Sequence, residues 1–150
     1  MRLLIYFIVL VIVTSCKSLD ERNERDLEDI SQEFRPYVRQ FLDDAKEYNK
    51  NVALRKLQIE FSTSELYSDG VKCNGVYYRH WHKILIYKGT FWGKSPKALI
   101  YHELGHALLN KDHNNDHDKY HQPESIMNLT GITDYAFEQW EDEYLRELFN

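Results

Sequence analysis

The chain has 150 residues with a formal net charge of −5, and 43% of its residues are hydrophobic. This length and composition suffice for one domain with its own hydrophobic core, which we expect to be monomeric. An acidic chain without a cluster of basic residues argues against nucleic acid as a partner, because phosphate binding requires a positively charged surface.

Residues 1–15 are predicted to form a lipoprotein signal peptide. Arg2 places a positive charge before the unbroken apolar run of residues 3–13, which is too short for a comfortable transmembrane helix. The following Val13-Thr14-Ser15-Cys16 resembles the lipobox of bacterial lipoproteins, whose cysteine is lipidated and becomes the mature N-terminus. The alternatives are an uncleaved membrane anchor and an ordinary cleaved signal. The lipobox implies a protein of the bacterial cell envelope, attached to the membrane through Cys16 on a periplasmic or surface face.

The chain after this signal is acidic and is expected to lack a disulfide. Removing residues 1–15 leaves 18 basic and 24 acidic residues, a net charge of −6. Residues 16–26 are highly charged, so we predict a solvated tether between the lipid and a domain over residues 27–150. With Cys16 lipidated, Cys73 has no cysteine partner. Nothing beside Cys73 in the sequence would activate it, and we interpret it as a buried or half-buried thiol.

The first part of the domain is predicted to supply a scaffold helix and a small sheet. Apolar residues recur at helical spacing over residues 27–48, and Pro36 within them means that the helix either begins there or is kinked. Residues 57–61 and 83–88 are predicted strands, and residues 71–73 form a short strand between two turn dipeptides.

His80 and His82 alternate around Trp81, which would place both on one side of a strand. We interpret them as surface or edge residues rather than metal ligands. The domain is predicted to end in one helix that begins at Thr133 or Asp134 and docks its apolar residues on the core.

A second helix is predicted to begin at Ser95 and Pro96 and to carry His102-Glu103-Leu104-Gly105-His106. Histidines four residues apart lie about 40° apart around a helix axis, so both imidazoles can bind one Zn²⁺. Glu103 is placed to accept a proton from a zinc-activated water. Gly105 costs about 1 kcal/mol relative to alanine inside a helix, which indicates that something packs very close to it.

A catalytic zinc site needs a third protein ligand and one open position. His113 can supply that ligand if the chain turns back after the helix, and Asn110 is a plausible left-handed residue to end the helix. The polar loop of residues 112–118 offers oxygen atoms for Ca²⁺, but its spacing matches no EF-hand, and we do not expect a calcium site.

The histidine pattern, followed by Ser125-Ile126-Met127-Asn128, resembles the metzincin clan of zinc metallopeptidases, and within it the small matrixin-like lipoproteins of bacteria. The match covers residues 84–128, about a third of the chain. It implies a zincin-like α+β fold: a small mixed sheet packed on a scaffold helix and an active-site helix, then a Met-turn and a C-terminal helix. It also implies that residues 84–87 form the sheet edge that pairs with extended peptide, and that Met127 supports the ligand histidines from below.

The chain departs from the metzincin pattern at two places. The family has glycine three residues after the second histidine and the third ligand three residues later, where this chain has Leu109 and Asp112. Asn110 and His113 keep the three-residue interval, each shifted by one, so we expect His113 to be the third ligand, with Asp112 as its rival. Some members carry a transition-state-stabilising tyrosine two residues after the methionine, where this chain has Leu129.

The resemblance implies a zinc-dependent endopeptidase that hydrolyses peptide or protein substrates. One catalytic Zn²⁺ would be bound by His102, His106 and His113, and Glu103 would act as general base without a covalent intermediate.

Two alternatives stay open. The first is a gluzincin-type peptidase, whose third ligand would come from Glu138, Glu141 or Glu143. The second is a non-catalytic surface lipoprotein that binds zinc structurally, with His117 or Asp112 as a fourth ligand.

Overall fold

The computed structural model describes residues 18–90, 96–118, 120 and 122–150. The predicted signal peptide, Cys16 and the predicted helix start at Ser95 lie outside the described residues. The helices are α1 (Leu19–Asp26), α2 (Arg35–Glu47), α3 (Pro96–Leu109), α4 (Asp134–Gln139) and α5 (Glu141–Phe149). The strands are β1 (Gln58–Ser62), β2 (Leu66–Ser68), β3 (Val71–Cys73), β4 (Gly75–Tyr78) and β5 (Lys83–Tyr87). The architecture is mixed α+β, as predicted.

Residues 19–26 form helix α1 and not the solvated tether that their charge predicts. The side chain of Asn23 is buried although its neighbours are charged. Its amide donates to the Val52 carbonyl at 2.8 Å and accepts from the Leu54 N–H at 3.0 Å. Asp26, the other buried residue of this helix, accepts from the Lys56 N–H at 3.1 Å. Two polar side chains therefore connect this helix to the domain through hydrogen bonds that composition alone does not reveal.

Helix α2 begins at Arg35 with Pro36 in its first turn, so the alternative in which the helix starts at the proline is confirmed. The preceding residues form a 3₁₀ turn at Leu27–Asp29, after which Ile30 bridges to Ile59 of β1 in parallel. The buried face of α2 contributes four apolar residues to the hydrophobic core: Val38, Phe41, Leu42 and Ala45.

The three-stranded sheet has the order β1-β5-β4. Strand β1 is parallel to β5, with Ile59 opposite Ile84, and β4 is antiparallel to β5, with Gly75 opposite Ile86. The mapping of residues 84–87 to the sheet edge is therefore wrong. Ile84 and Ile86 are buried, and β5 is paired on both sides. The edge strands are β1 and β4, and β4 is the one that lines the cleft. The antiparallel hairpin of β2 and β3 confirms the predicted strand at residues 71–73.

The segment between β4 and β5 is a 3₁₀ turn over Arg79–Trp81, so His80 and His82 do not alternate along a strand. His80 is exposed, as expected. His82 is half-buried, with Nδ1 2.9 Å from the Tyr77 hydroxyl and Nε2 3.0 Å from the Leu54 carbonyl. Both ring nitrogens of His82 are thus engaged with the protein itself.

The C-terminal segment forms two helices where one was predicted, because the backbone breaks from helical geometry at Trp140. Thr133 caps α4 by accepting a hydrogen bond from the Ala136 N–H. Helix α5 docks on the core, as expected, and the Phe149 ring meets the Phe41 ring edge-on at 5.1 Å. Within the described part of the chain, every helix is too short or too polar to cross a membrane.

Candidate metal centre

Helix α3 is held firmly against the rest of the domain. Ile100 and Leu104 are buried in the hydrophobic core. Tyr101 is buried too, and its hydroxyl donates to the Asp44 carboxylate on α2 at 2.6 Å. These contacts fix the orientation of the helix and leave His102 and His106 directed to one cleft.

The imidazoles of His102 and His106 are oriented by backbone carbonyls. Nδ1 of His102 donates to the Ile126 carbonyl at 2.8 Å, and Nδ1 of His106 donates to the Lys111 carbonyl at 2.7 Å. Because carbonyl oxygen only accepts, the proton lies on Nδ1 and each Nε2 carries a lone pair. Burial lowers the pKa of His102 to about 4 and also lowers the pKa of His106, so both rings are neutral near pH 7.

His113 reaches the same point through the turn that follows α3. Asn110 is left-handed with φ 53°, as predicted, and the Lys111 N–H donates to the Gly105 carbonyl at 3.1 Å. The chain reverses there and brings Nε2 of His113 to 3.2 Å from Nε2 of His106. Asp112 borders the cleft but is not part of this cluster, so the geometry favours His113 over its rival as third ligand.

The three Nε2 atoms fit a common metal ion. Those of His102 and His106 are 3.1 Å apart, close to the separation of about 3.3 Å expected for two tetrahedral ligands at zinc–nitrogen distances of about 2.0–2.1 Å. Lone pairs directed at one another repel unless a cation lies between them. The three histidines could therefore hold a metal ion jointly. Imidazole nitrogen suits zinc, copper, iron and nickel.

No further histidine, cysteine or carboxylate of the described residues joins this group. Among the glutamates considered as gluzincin ligands, Glu141 pairs with Lys97, while Glu138 and Glu143 lie on α4 and α5 outside the cluster. His117, the other proposed fourth ligand, forms an isolated bridge to Pro123. Within the part of the chain that the structure describes, three ligands leave a fourth coordination position for water or substrate.

The polar loop uses its side-chain oxygens on its own backbone. Oδ1 of Asn114 accepts from the Asp116 N–H at 3.0 Å, and Oδ1 of Asp118 accepts from the Tyr120 and Gln122 N–H groups at 2.8 Å. These side chains fold the loop that carries His113 and do not assemble an oxygen cluster for Ca²⁺ among the described residues.

Glu103 is buried between α3 and strand β4, with 4% of its surface exposed. The Tyr77 N–H donates to its carboxylate, which lowers the pKa, but burial has the larger effect and raises it to about 8 in the metal-free protein. A Cβ atom at Gly75 would lie 2.6 Å from Oε1 of Glu103. The Tyr77 N–H of β4 thus binds the glutamate, and the lack of a side chain at Gly75 leaves room for it. The sequence predicts neither feature.

Met127 packs beneath the histidine helix. A Cβ atom at Gly105 would lie 2.5 Å from Sδ of Met127, which confirms that something packs very close to this glycine. The Ser125 hydroxyl accepts from the Met127 N–H at 3.0 Å and donates to Glu147 of α5 at 2.8 Å. The Asn114 N–H donates to the Met127 carbonyl. The turn thus connects α3, the His113 loop and α5.

The cluster opens into a cleft of about 1060 Å³. One wall is formed by the β2–β3 hairpin and the β4 edge, the other by residues 128–132, with α3 as the floor. Cys73 borders the cleft and is half-buried, as predicted. Burial and the charge of Glu103 raise the pKa of the Cys73 thiol, so it is not an activated nucleophile. Leu129 is 61% exposed at the cleft and offers no polar group where some metzincins carry a tyrosine.

No protein-family model matches the chain, and neither a curated protein nor a solved structure matches it significantly. The site itself combines three convergent imidazoles with a buried glutamate in one cleft.

Proposed function

We propose that the protein is a zinc-dependent endopeptidase with a zincin-like fold. The observation that carries this proposal is the convergence of three imidazoles, with neighbouring Nε2 atoms 3.1 and 3.2 Å apart, beside Glu103 of the same helix as His102 and His106. Three ligands with an open fourth position are typical of catalytic zinc sites, whereas structural sites are closed. The resemblance to metzincins supports the same assignment.

A bound zinc ion would supply Lewis acidity, which makes water nucleophilic near neutral pH and polarises the scissile carbonyl. His102, His106 and His113 would hold it through Nε2. Glu103 would accept the proton of the attacking water and return it to the leaving amine. The Ile126 and Lys111 carbonyls keep the imidazoles in the required tautomer, a role that supports ligand basicity in metal sites.

A peptide or protein chain is the substrate class that suits the cleft. The cleft runs from the β2–β3 hairpin past the three histidines to residues 128–132, so both of its ends are lined by chain on either side of the metal centre. Strand β4 lies at an edge of the sheet and lines one wall, and extended peptides bind to proteins by adding a strand to a sheet edge. Attachment of the domain to the cell envelope through lipidated Cys16 is part of the proposal, and a Cys16→Ser variant should move from the membrane fraction to the soluble fraction.

The test combines zinc content with cleavage of a mixed peptide library followed by mass spectrometry. Wild type and Glu103→Gln should each contain one zinc ion, and only wild type should cleave. His113→Ala should lose most of its zinc. His117→Ala is the matched control, because His117 lies in the same loop outside the cluster, and it should keep both zinc and activity. Zinc without cleavage of any peptide would favour the non-catalytic alternative.

A further inference from the structure

Asn128 follows Met127 directly and borders the cleft that contains the histidine cluster. Its side chain is fully buried. Its backbone N–H donates to the Ser125 carbonyl at 3.1 Å, and its carbonyl accepts from the Gly131 N–H at 3.1 Å. Both backbone groups are thus satisfied within the turn, and the position of Asn128 is fixed relative to the metal centre.

The side-chain amide of Asn128 is satisfied at one end only. Oδ1 accepts from the Thr130 N–H at 3.0 Å and from the Thr130 hydroxyl at 2.7 Å. Because a backbone N–H can only donate, the oxygen must lie at this end of the amide and Nδ2 at the other. Among the described residues, Nδ2 of Asn128 is the buried side-chain nitrogen or oxygen that lacks a hydrogen-bond partner.

An unpaired buried donor destabilises a fold, and native structures contain few of them. Asn128 lines the cleft, so a small rotation of its side chain would bring Nδ2 within reach of a ligand that supplies the missing acceptor. A neutral amide N–H pairs well with a carbonyl oxygen and carries no charge that a peptide would have to neutralise. At the next position Leu129 has no polar side chain to do the same.

We propose that Nδ2 of Asn128 donates a hydrogen bond to one main-chain carbonyl oxygen of the bound peptide. Asn128 is then a substrate-binding residue that fixes the register of the peptide against the metal centre. This inference rests on the proposed peptidase function and adds to it a specific contact. An ordered water that satisfies Nδ2 in every state of the protein is the competing explanation.

The first experiment compares two probes on the zinc-loaded protein. A peptide hydroxamate carries main-chain carbonyls, whereas acetohydroxamate chelates zinc without them. Asn128→Ala should weaken binding of the peptide hydroxamate about tenfold, the effect of losing one buried hydrogen bond, and leave acetohydroxamate binding unchanged. Asn128→Asp keeps the acceptor for Thr130 but replaces the donor with an acceptor, so its loss should be larger. Asn115→Asp is the charge-matched control, since Asn115 is exposed and its Oδ1 keeps its bond from the Leu129 N–H.

The second experiment changes the peptide, and its first comparison is made on wild type alone. Each carbonyl of the peptide hydroxamate is replaced in turn by a methylene group. In wild type, removal of one carbonyl should cost about tenfold more than removal of the others, and Asn128→Ala should abolish that difference. Equal losses at all carbonyls in wild type, or unchanged peptide affinity in both Asn128 variants, would overturn the inference while cleavage by wild type still supported the peptidase. Wild type that neither cleaves peptides nor binds the peptide hydroxamate would overturn both.

Discussion

The side chain of Glu103 fills the space that a side chain in place of Gly75 would need. A Cβ atom at residue 75 would lie 2.6 Å from Oε1 of Glu103 and 2.9 Å from its Cγ. The backbone at Gly75 has a conformation that other residues adopt readily, so the glycine is required by its neighbour and not by its own φ angle. The Tyr77 N–H, two residues along the same strand, donates to the carboxylate. Strand β4 and helix α3 therefore fit closely together at this point.

Gly75→Ala is expected to displace the carboxylate of Glu103 and leave the metal centre intact. A flexible carboxylate can move aside, so the variant should fold and keep its zinc. Misplacement of a catalytic group by about 1 Å lowers rates by up to about a hundredfold, so kcat should fall about tenfold to a hundredfold with little change in KM. Steady-state kinetics and zinc analysis measure both quantities. The same substitution in a Glu103→Ala background should leave the thermal midpoint unchanged, and a loss of stability there would contradict the contact.

Gly105→Ala tests the packing of Met127 beneath the histidine helix. Alanine favours a helix interior by about 1 kcal/mol, but its Cβ would lie 2.5 Å from Sδ of Met127 and 3.2 Å from Leu148. Overpacking a core costs about 1–3 kcal/mol, so urea unfolding should show a net loss of about 1 kcal/mol. In a Met127→Ala background the clash is gone, and Gly105→Ala should become neutral or stabilising. A loss of equal size in both backgrounds would rule out Met127 as the cause.

Asn110 lies in the turn that brings His113 close to His106. Its φ of 53° is left-handed, a conformation that costs most residues about 1–2 kcal/mol and glycine almost nothing. Asn110→Ala should therefore lower the free energy of unfolding by about 1 kcal/mol and weaken zinc binding, while Asn110→Gly should keep both. Urea unfolding and a competitive zinc titration make the comparison. Equal zinc affinity in the alanine and glycine variants would show that the turn does not govern the position of His113.

The parts of the site that the sequence predicts are those set by local geometry. Histidines at i and i+4 share a face of any helix, so His102 and His106 meet whatever surrounds them. Asn110 is recognisable as a helix-ending residue, and the structure confirms its left-handed backbone. The same turn brings His113 to His106, only seven residues earlier in the chain. This candidate ligand could therefore be predicted from the sequence without knowledge of the fold.

The parts that the sequence does not predict depend on distant segments. The Tyr77 N–H reaches Glu103 only after a sheet has placed β4 beside α3, and no local pattern encodes that pairing. The assignment of the sheet edge failed for the same reason, since β5 is flanked by β1 and β4 from different parts of the chain. The charge of residues 19–26 predicts a tether, whereas Asn23 and Asp26 bind the segment to backbone groups about 30 residues further along the chain.

The pH dependence of stability offers a test of the burial of Glu103 in the metal-free protein. Burial raises its pKa from an ordinary 4.5 to about 8, so between these values the unfolded chain ionises while the folded side chain stays protonated. The free energy of unfolding therefore loses a contribution that is fully present below pH 4.5 and is lost as the pH rises through about 8. Gln at this position keeps an acceptor for the Tyr77 N–H and does not titrate.

After removal of metal with a chelator, the thermal midpoint of Glu103→Gln should be close to that of wild type near pH 5. It should exceed that of wild type by a growing margin up to about pH 8, and by a constant margin above it. The lowered pKa values of His102 and His106 destabilise the fold as the pH falls, but they act alike in both proteins and cancel in the difference. A margin that is the same at pH 5 and pH 9 would mean that Glu103 ionises in the folded protein as freely as in the unfolded chain, and that the contact with β4 does not shield it from water.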